Sequence, residues 1–276
     1  MLMPEGKESM ADIDQSRYAH AGPVAHTDAT VDEGLRAYML RVYNYMAVGI
    51  ALTGVVAYLL FTMTVTGDPS AAARSATGQA LALRSGSYLT PLGYSLFVSP
   101  LKYVVMLAPL GFVLLFAGVV YRVSVGTAQM LFWAFAALMG VSLSSIFLVY
   151  TGQSITQVFF VTAAAFGALS LYGYTTKKDL SGWGTFLFMG VIGIVLASIV
   201  NLFIGSDALR FAISVIGVLV FAGLTAYDTQ QIKDNYYAVM GDAVAMSKSA
   251  IMGALNLYLD FINMFISLLQ LFGNRE

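Results

Sequence analysis

Residues Ser249–Asn274 read SAIMGALNLYLDFINMFISLLQLFGN, and Asp260, near the middle, is the one charged side chain among them. A stretch this long and apolar is sufficient to cross a bilayer as a helix. A carboxyl group at that depth costs on the order of 2.5–3.5 kcal/mol, so it usually faces a bundle interior or a wet cavity and has a partner there. The segment therefore predicts a membrane protein with a functional group buried in its last helix.

Polar and small residues recur through this segment in steps of four and three, which places them on one face of a helix. A lipid-facing surface would not collect such residues, so this face is expected to meet protein or water, and the helix to be central. Asn256 and Asn263, one turn to either side of Asp260, are the predicted supporting groups. The alternative is that these amides only bond neighbouring helices while Asp260 stays neutral. The polar face comprises Ser249, Gly253, Asn256, Asp260, Asn263, Ser267 and Gln270.

The composition of the whole chain agrees with a membrane protein. Of its 276 residues, 58% are hydrophobic and 11% are charged, whereas soluble domains carry about 25% charged residues. The net charge of -1 gives no footprint for nucleic acid. The absence of cysteine rules out disulfides and thiolate metal sites, and no motif for a tightly bound cofactor is present.

Seven apolar segments predict an all-α integral membrane protein, a seven-helix transmembrane bundle with the last helix central. We expect residues 1–37 to form a flexible polar tail and residues 38–276 to form a single transmembrane domain. Within that domain, residues 67–102 are predicted to be a long extramembrane loop with a short helix around Ala71–Leu83. The segments run from about Val42 to Thr64, Tyr103 to Tyr121, Ala128 to Tyr150, Ile155 to Thr175, Trp183 to Ile204, Phe211 to Tyr227 and Ala250 to Phe272.

Basic residues near the ends of the segments set the expected orientation, because cytoplasmic loops carry an excess of Lys and Arg. A cytoplasmic N-terminus gives the more basic side to the cytoplasm, and a bacterial inner membrane is the expected location. The cytoplasmic group is then Arg36, Arg41, Arg122, Lys177, Lys178, Lys233 and Lys248, against Arg74, Arg84, Lys102, Arg210 and Arg275 outside.

Two further charged residues stand at the ends of segments. Asp228 follows the sixth segment, and Arg122 follows the second. Each has an ordinary interpretation, as an interfacial carboxylate and as a basic anchor with a snorkelling side chain. If Asp228 and Asp260 meet, the two carboxyl groups share a proton and titrate as a unit. Arg122 beside them would form a bidentate clamp, and the deprotonated pair would offer hard oxygen ligands for Ca²⁺.

Three strings resemble the transmembrane Bax inhibitor motif family, in particular its bacterial members. The resemblance covers about Gly34 to Gly273. The strings are ALNLYLDFIN at 254–263, AYDTQ at 226–230 followed by Ile232 and Lys233, and GLRAYMLRVYNYM at 34–46.

The resemblance implies a compact bundle around the seventh helix and a pH-sensitive calcium leak across the membrane. In that family two aspartates on helices six and seven form the pH sensor, and an arginine on helix two locks the closed state. The matching positions are Asp228, Asp260 and Arg122, with Asp228 and Asp260 as the candidate calcium ligands. Some relatives also carry a glutamate in helix two, where Tyr103–Tyr121 has no acid. Other bacterial relatives interact with a membrane-anchored AAA protease, so a regulatory role is a second hypothesis.

An intramembrane aspartyl protease is a remote alternative. Those enzymes also place two aspartates on helices six and seven, the first in a Tyr-Asp pair like Tyr227 and Asp228. Their second aspartate follows Gly-x-Gly, however, whereas Leu257, Tyr258 and Leu259 precede Asp260 and leave no opening for a peptide. A retinal protein would need a lysine in the last span, which has none. We therefore expect a protein that is not an enzyme.

Overall fold

The computed structural model describes residues 22–75, 78–84 and 86–275. Seven helical segments in these ranges are long and apolar enough to cross a membrane, which confirms the predicted all-α membrane bundle. The third span is interrupted near its end, so it comprises two helices. The helices are α1 Gly22–Thr64, α2 Pro91–Phe97, α3 Leu101–Val119, α4 Val125–Leu143, α5 Ile146–Val149, α6 Gly152–Thr175, α7 Ser181–Ile204, α8 Asp207–Val239 and α9 Ala243–Phe272.

Side-chain caps start several of these helices at short connections. Thr151 accepts a hydrogen bond from the backbone N–H of Ser154 at the start of α6, and Ser206 accepts one from Leu209 at the start of α8. Asp242 accepts two, at the start of α9. Each cap satisfies a helix N–H that has no partner within the helix. The connections before α8 and α9 join helices that pack against each other, whereas α6 packs against α8 and α9.

The last helix is the most buried span, as the sequence predicts. Helix α9 packs against α1, α4, α6 and α8. The Tyr258 ring lies edge-on to Phe132 and Phe135 of α4, and its hydroxyl is 2.7 Å from Thr53 Oγ1 of α1. On another side, Phe261 meets Phe166 of α6. Aromatic and aliphatic packing on three sides therefore fixes the position of the α9 backbone.

The prediction of a flexible tail over residues 1–37 is wrong from Gly22 onward, where α1 begins; residues 1–21 lie outside the described ranges. Leu35, Tyr38, Met39 and Val42 are buried, and their spacing is that of one helix face. The charged residues between them mask this apolar face in a hydropathy profile. Helix α1, which is 43 residues long, therefore begins well before the first apolar segment.

The N-terminal half of α1 and the C-terminal end of α8 pack together beside the start of α9. The Tyr38 and Tyr236 rings are 5.5 Å apart, and the Tyr38 hydroxyl is 2.9 Å from Ser249 Oγ of α9. Gly34 faces the Tyr236 hydroxyl so closely that a Cβ at this position would overlap it. The absence of a side chain at Gly34 therefore permits the two helices to approach each other.

Residues 65–97 form a small folded unit, which occupies most of the stretch 67–102 that the sequence predicts to be a loop. Three strands, β1 Val65–Thr66, β2 Ala82–Arg84 and β3 Ser87–Leu89, form an antiparallel sheet in the order β1-β3-β2, followed by α2. The predicted helix around Ala71–Leu83 is wrong. Backbone hydrogen bonds join Ala73 to Leu89 and Leu81 to Ala73 instead. These non-local pairings cannot be read from a stretch rich in Ala, Ser and Gly.

Basic residues of the two predicted groups lie at opposite ends of the bundle, and which end faces the cytoplasm stays a prediction. At one end Lys248 donates to the carbonyl of Tyr121, and Lys233 donates to that of Tyr174. At the opposite end Arg275 lies over the Tyr150 ring, and Arg210 pairs with Asp207. The seven predicted spans thus alternate in direction.

Candidate functional site

The polar face of α9 packs along α8. Near one end Ser249 Oγ accepts a hydrogen bond from Asn235, and a Cβ at Gly253 would come within 3.0 Å of the Ile232 side chain. Near the other end the Gln270 amide oxygen accepts a hydrogen bond of 2.7 Å from Ser214. The polar face is therefore directed at protein, as predicted, and the α8–α9 interface is where polar side chains concentrate.

Asp228 of α8 and Asp260 of α9 meet in the middle of this interface. The two carboxyl groups lie close enough to interact directly. Asp260 is 4% exposed, and its second oxygen, Oδ2, has no hydrogen-bond partner within the described residues. Two buried carboxylates this close would repel each other if both were ionised, so the arrangement favours a pair that shares a proton. A buried oxygen without a partner is costly, so Oδ2 needs an explanation, and a functional role of the pair would supply one.

The two aspartates meet because α8 continues well beyond the predicted end of the sixth span. The sequence predicts that this span ends at Tyr227, yet α8 runs to Val239, about 16 Å further along the axis than Asp228 at 1.5 Å per residue. Gln230 explains how the polar continuation stays in the bundle. Its amide donates to the Lys178 carbonyl and accepts from the Leu180 N–H, at the connection between α6 and α7.

A polar cavity of about 460 Å³ leads from one end of the bundle to Asp228. Asp234 and Asn235, which are exposed, stand at its mouth, while Asp228 is partly buried. Asn256 of α9 also lines the cavity, so this predicted supporting residue lies at the site. The cavity is lined by Tyr121, Asp228, Gln231, Ile232, Asp234, Asn235, Ala238, Ser249, Met252, Gly253 and Asn256.

Comparison with known proteins gives the family. Residues 35–276 match the family described as inhibitor of apoptosis-promoting Bax1. The chain belongs to this Bax inhibitor-1-like family. It is 46% identical to the inner membrane protein YbhL of Escherichia coli over 88% of this chain and 94% of that protein. It is likewise 46% identical to a protein of Caulobacter vibrioides over 94% of this chain and 97% of that protein, and 38% identical to one of Deinococcus radiodurans over 92% and 97%.

Arg122, expected beside the aspartates in this family, lies elsewhere in the structure. It is exposed in the turn after α3. In the described part of the chain the one ion pair joins Arg210 to Asp207, so Arg122 pairs with neither Asp228 nor Asp260. Its neighbour Tyr121 does line the cavity. Chain position therefore brings Arg122 close to the cavity, but its side chain points to solvent.

Asn263 has a smaller role than its place on the polar face predicts. Its amide donates to the Leu259 carbonyl of its own helix at 2.8 Å and is not among the residues that line the cavity. The residues that sequence reasoning missed are Gln231, Asp234 and Asn235. Gln231 and Asn235 follow Asp228 by three and seven residues, a spacing that places all three on one helix face. This spacing predicts a shared site only if the helix continues past Tyr227.

Proposed function

We propose that this protein is a pH-sensitive calcium leak channel of the bacterial inner membrane, and not an enzyme. The observation that carries the proposal is the buried contact between Asp228 and Asp260, reached from one end by a polar cavity. Ionisable groups inside a membrane bundle are costly and usually mark an ion or proton pathway. The basic end of the bundle, where the cavity opens, faces the cytoplasm in this proposal.

The aspartate pair is the proposed pH sensor. When one proton is present the two carboxyl groups bond to each other and hold α8 against α9. When that proton leaves, two like charges in contact repel each other, and the interface shifts to another packing. The charged or titratable groups around the cavity come from four elements: Asp234 on α8, Lys248 on α9, Tyr38 on α1, and Tyr121 with Arg122 after α3.

Calcium is the proposed transported ion because the cavity offers hard oxygen ligands. Asp228 and Asp234 make its lining negative, and Asn256 adds an amide oxygen. In the described ranges no three acidic or histidine side chains come together. A Ca²⁺ ion at Asp228 and Asp260 would therefore complete its six to eight ligands with amide oxygens and water. Such a weak, partly hydrated site suits passage of the ion better than storage.

Arg122 is proposed to act as the lock in a second, closed packing. Its place after α3 is held by the hydrogen bond of 3.0 Å from Lys248 to the Tyr121 carbonyl. Release of this bond would free the end of α3 to turn inward and bring the guanidinium toward Asp228. In that packing the arginine favours the ionised carboxylate and occupies the cavity.

A proteolytic function is disfavoured by the packing around Asp260. Leu257 and Tyr258 are fully buried, and a scissile peptide would need open space beside both carboxyl groups. A regulatory role beside a membrane-anchored AAA protease is compatible with the channel proposal. Co-purification of such a protease with the tagged protein, and altered turnover of its substrates in cells lacking this protein, would support that role.

The test of the channel proposal is calcium efflux from vesicles that contain the purified protein. Efflux should exceed that of protein-free vesicles and fall when Asp234→Asn removes the exposed carboxylate of the cavity lining, which the Arg122 lock does not use. A matched control is Asp207→Asn, which removes a carboxylate at the opposite end of the bundle. Equal efflux with and without protein at every pH would reject the proposal.

A further inference from the structure

A second opening lies on the lateral surface of the bundle, between α1 and α6. It is a groove of about 490 Å³, and its walls are mainly apolar. Met39 and Leu40 form one wall, and Phe166 and Leu171 form the other. Leu40 is 52% exposed and Leu171 is 63% exposed, so the groove opens sideways, where a membrane protein meets lipid. The groove is therefore shaped for a flexible apolar chain.

A cation stands at one end of this groove. Arg36 contributes to its lining, is exposed, and has no acidic partner among the residues that the structure describes. Lys233 lies close by, because its Nζ donates to the carbonyl of Tyr174, another lining residue, at 3.0 Å. Both belong to the more basic end of the bundle. Basic pockets between transmembrane helices on the cytoplasmic side are typical sites for anionic lipid head groups.

Linked hydroxyl groups form the floor of the groove. The Tyr43 hydroxyl is 2.5 Å from Ser170 Oγ, which in turn is 3.0 Å from Thr229 Oγ1. Thr229 donates to the Thr225 carbonyl within α8. These hydroxyls join α1, α6 and α8 and satisfy one another, so the floor needs no polar group from an occupant. The groove thus exists before anything enters it.

We propose that the groove binds one acyl chain of an anionic phospholipid, with the phosphate of that lipid at Arg36. The apolar walls accept the chain at lipid depth, and the arginine stands where the head group would lie. An Arg guanidinium binds a phosphate oxygen pair through parallel N–H donors. A zwitterionic lipid carries its own positive charge and gains less from Arg36. The occupant is therefore selected by charge.

Quenching of single tryptophans by brominated lipid tests this directly and does not depend on calcium transport. Trp133→Phe and Trp183→Phe give a background without tryptophan. Leu40→Trp and Leu171→Trp then report from the two walls of the groove. Phe188→Trp on α7, 63% exposed, reports from an ordinary lipid-facing surface.

Brominated phosphatidylglycerol is titrated against phosphatidylcholine in vesicles for each reporter. At the two groove positions we expect phosphatidylglycerol to associate about fivefold more strongly than phosphatidylcholine, the factor for one basic residue near a lipid head group. At position 188 the ratio should be about one. Arg36→Gln should reduce the groove ratio to that of position 188, and circular dichroism checks that the variant is folded.

Two results would overturn the inference. A groove ratio equal to that at Phe188→Trp, for both wall reporters, would show that no selective site exists. A preference that survives Arg36→Gln would show that the head group is held elsewhere. The use of two reporters guards against one tryptophan filling the groove itself.

Discussion

Replacing Asp260 by asparagine should abolish the dependence of calcium flux on pH. The amide keeps the shape of the side chain but has no proton to exchange. In the wild type the two carboxyl groups lie together and Asp260 is 4% exposed, so we expect the pair to exchange one shared proton. One proton linked to gating changes the equilibrium between packings by at most about 1.4 kcal/mol per pH unit, which is tenfold.

The assay is calcium efflux from vesicles at several values between about pH 5 and about pH 8. The wild type should show a slope of up to about tenfold per pH unit in its titration range, and Asp260→Asn a flat line. Asp179→Asn is the matched control. Hydrogen bonds from the Ser181 hydroxyl and backbone N–H lower the pKa of the Asp179 carboxyl, so it stays ionised over this range and its loss should leave the slope intact.

An Asp260→Asn protein that is folded and still responds to pH like the wild type would refute the shared-proton mechanism. The proton would then be exchanged at another group. A flat response in both Asp260→Asn and Asp179→Asn would also contradict it, since general damage to the fold would explain both.

Three further predictions concern packing. Gly173→Ala should destabilise the bundle by about 1–3 kcal/mol, because its Cβ would overlap the Ala226 backbone of α8. Gly167→Ala has open space beside it and should not destabilise the bundle. Unfolding in mixed detergent measures both variants. Tyr258→Phe should cost about 0.5–1.5 kcal/mol in the same assay through its lost hydrogen bond to Thr53, and no loss would deny that bond a stabilising role. Arg122→Gln should change stability by less than about 0.5 kcal/mol, because the side chain is exposed and unpaired; a larger loss would place it in a buried pair.

The spans and the central place of α9 could be predicted because hydropathy and helical periodicity are local properties. The end of α8 could not. Gln230 and Lys233 resemble residues that leave the membrane, yet both find partners on α6 or on its connection to α7. A transfer scale gives the cost of a polar group without a partner, whereas the partners of Gln230 and Lys233 lie 52 and 59 residues earlier in the chain.

Part of the candidate site could likewise be predicted from the sequence, and part could not. A lone carboxyl in an apolar helix and a helix-spaced polar face identify Asp260, and the same reasoning leads to Asp228 once the helices are taken as neighbours. The orientation of Arg122 depends on the turn after α3 and on the bond from Lys248 to that turn, which leave no pattern in the sequence. The same holds for the lateral groove, since its two walls are more than a hundred residues apart.

The lengths of α1 and α8 have a mechanical consequence. At 1.5 Å per residue they are about 64 Å and about 50 Å long, whereas the hydrocarbon core is about 30 Å thick. Their paired ends, which the Tyr38–Tyr236 contact and the close approach at Gly34 hold together, therefore extend beyond the hydrocarbon core into the aqueous phase. A rotation of α8 about Asp228 would move this protruding end furthest, so a spin label or a fluorophore placed there, outside the lipid, would follow the proposed gating.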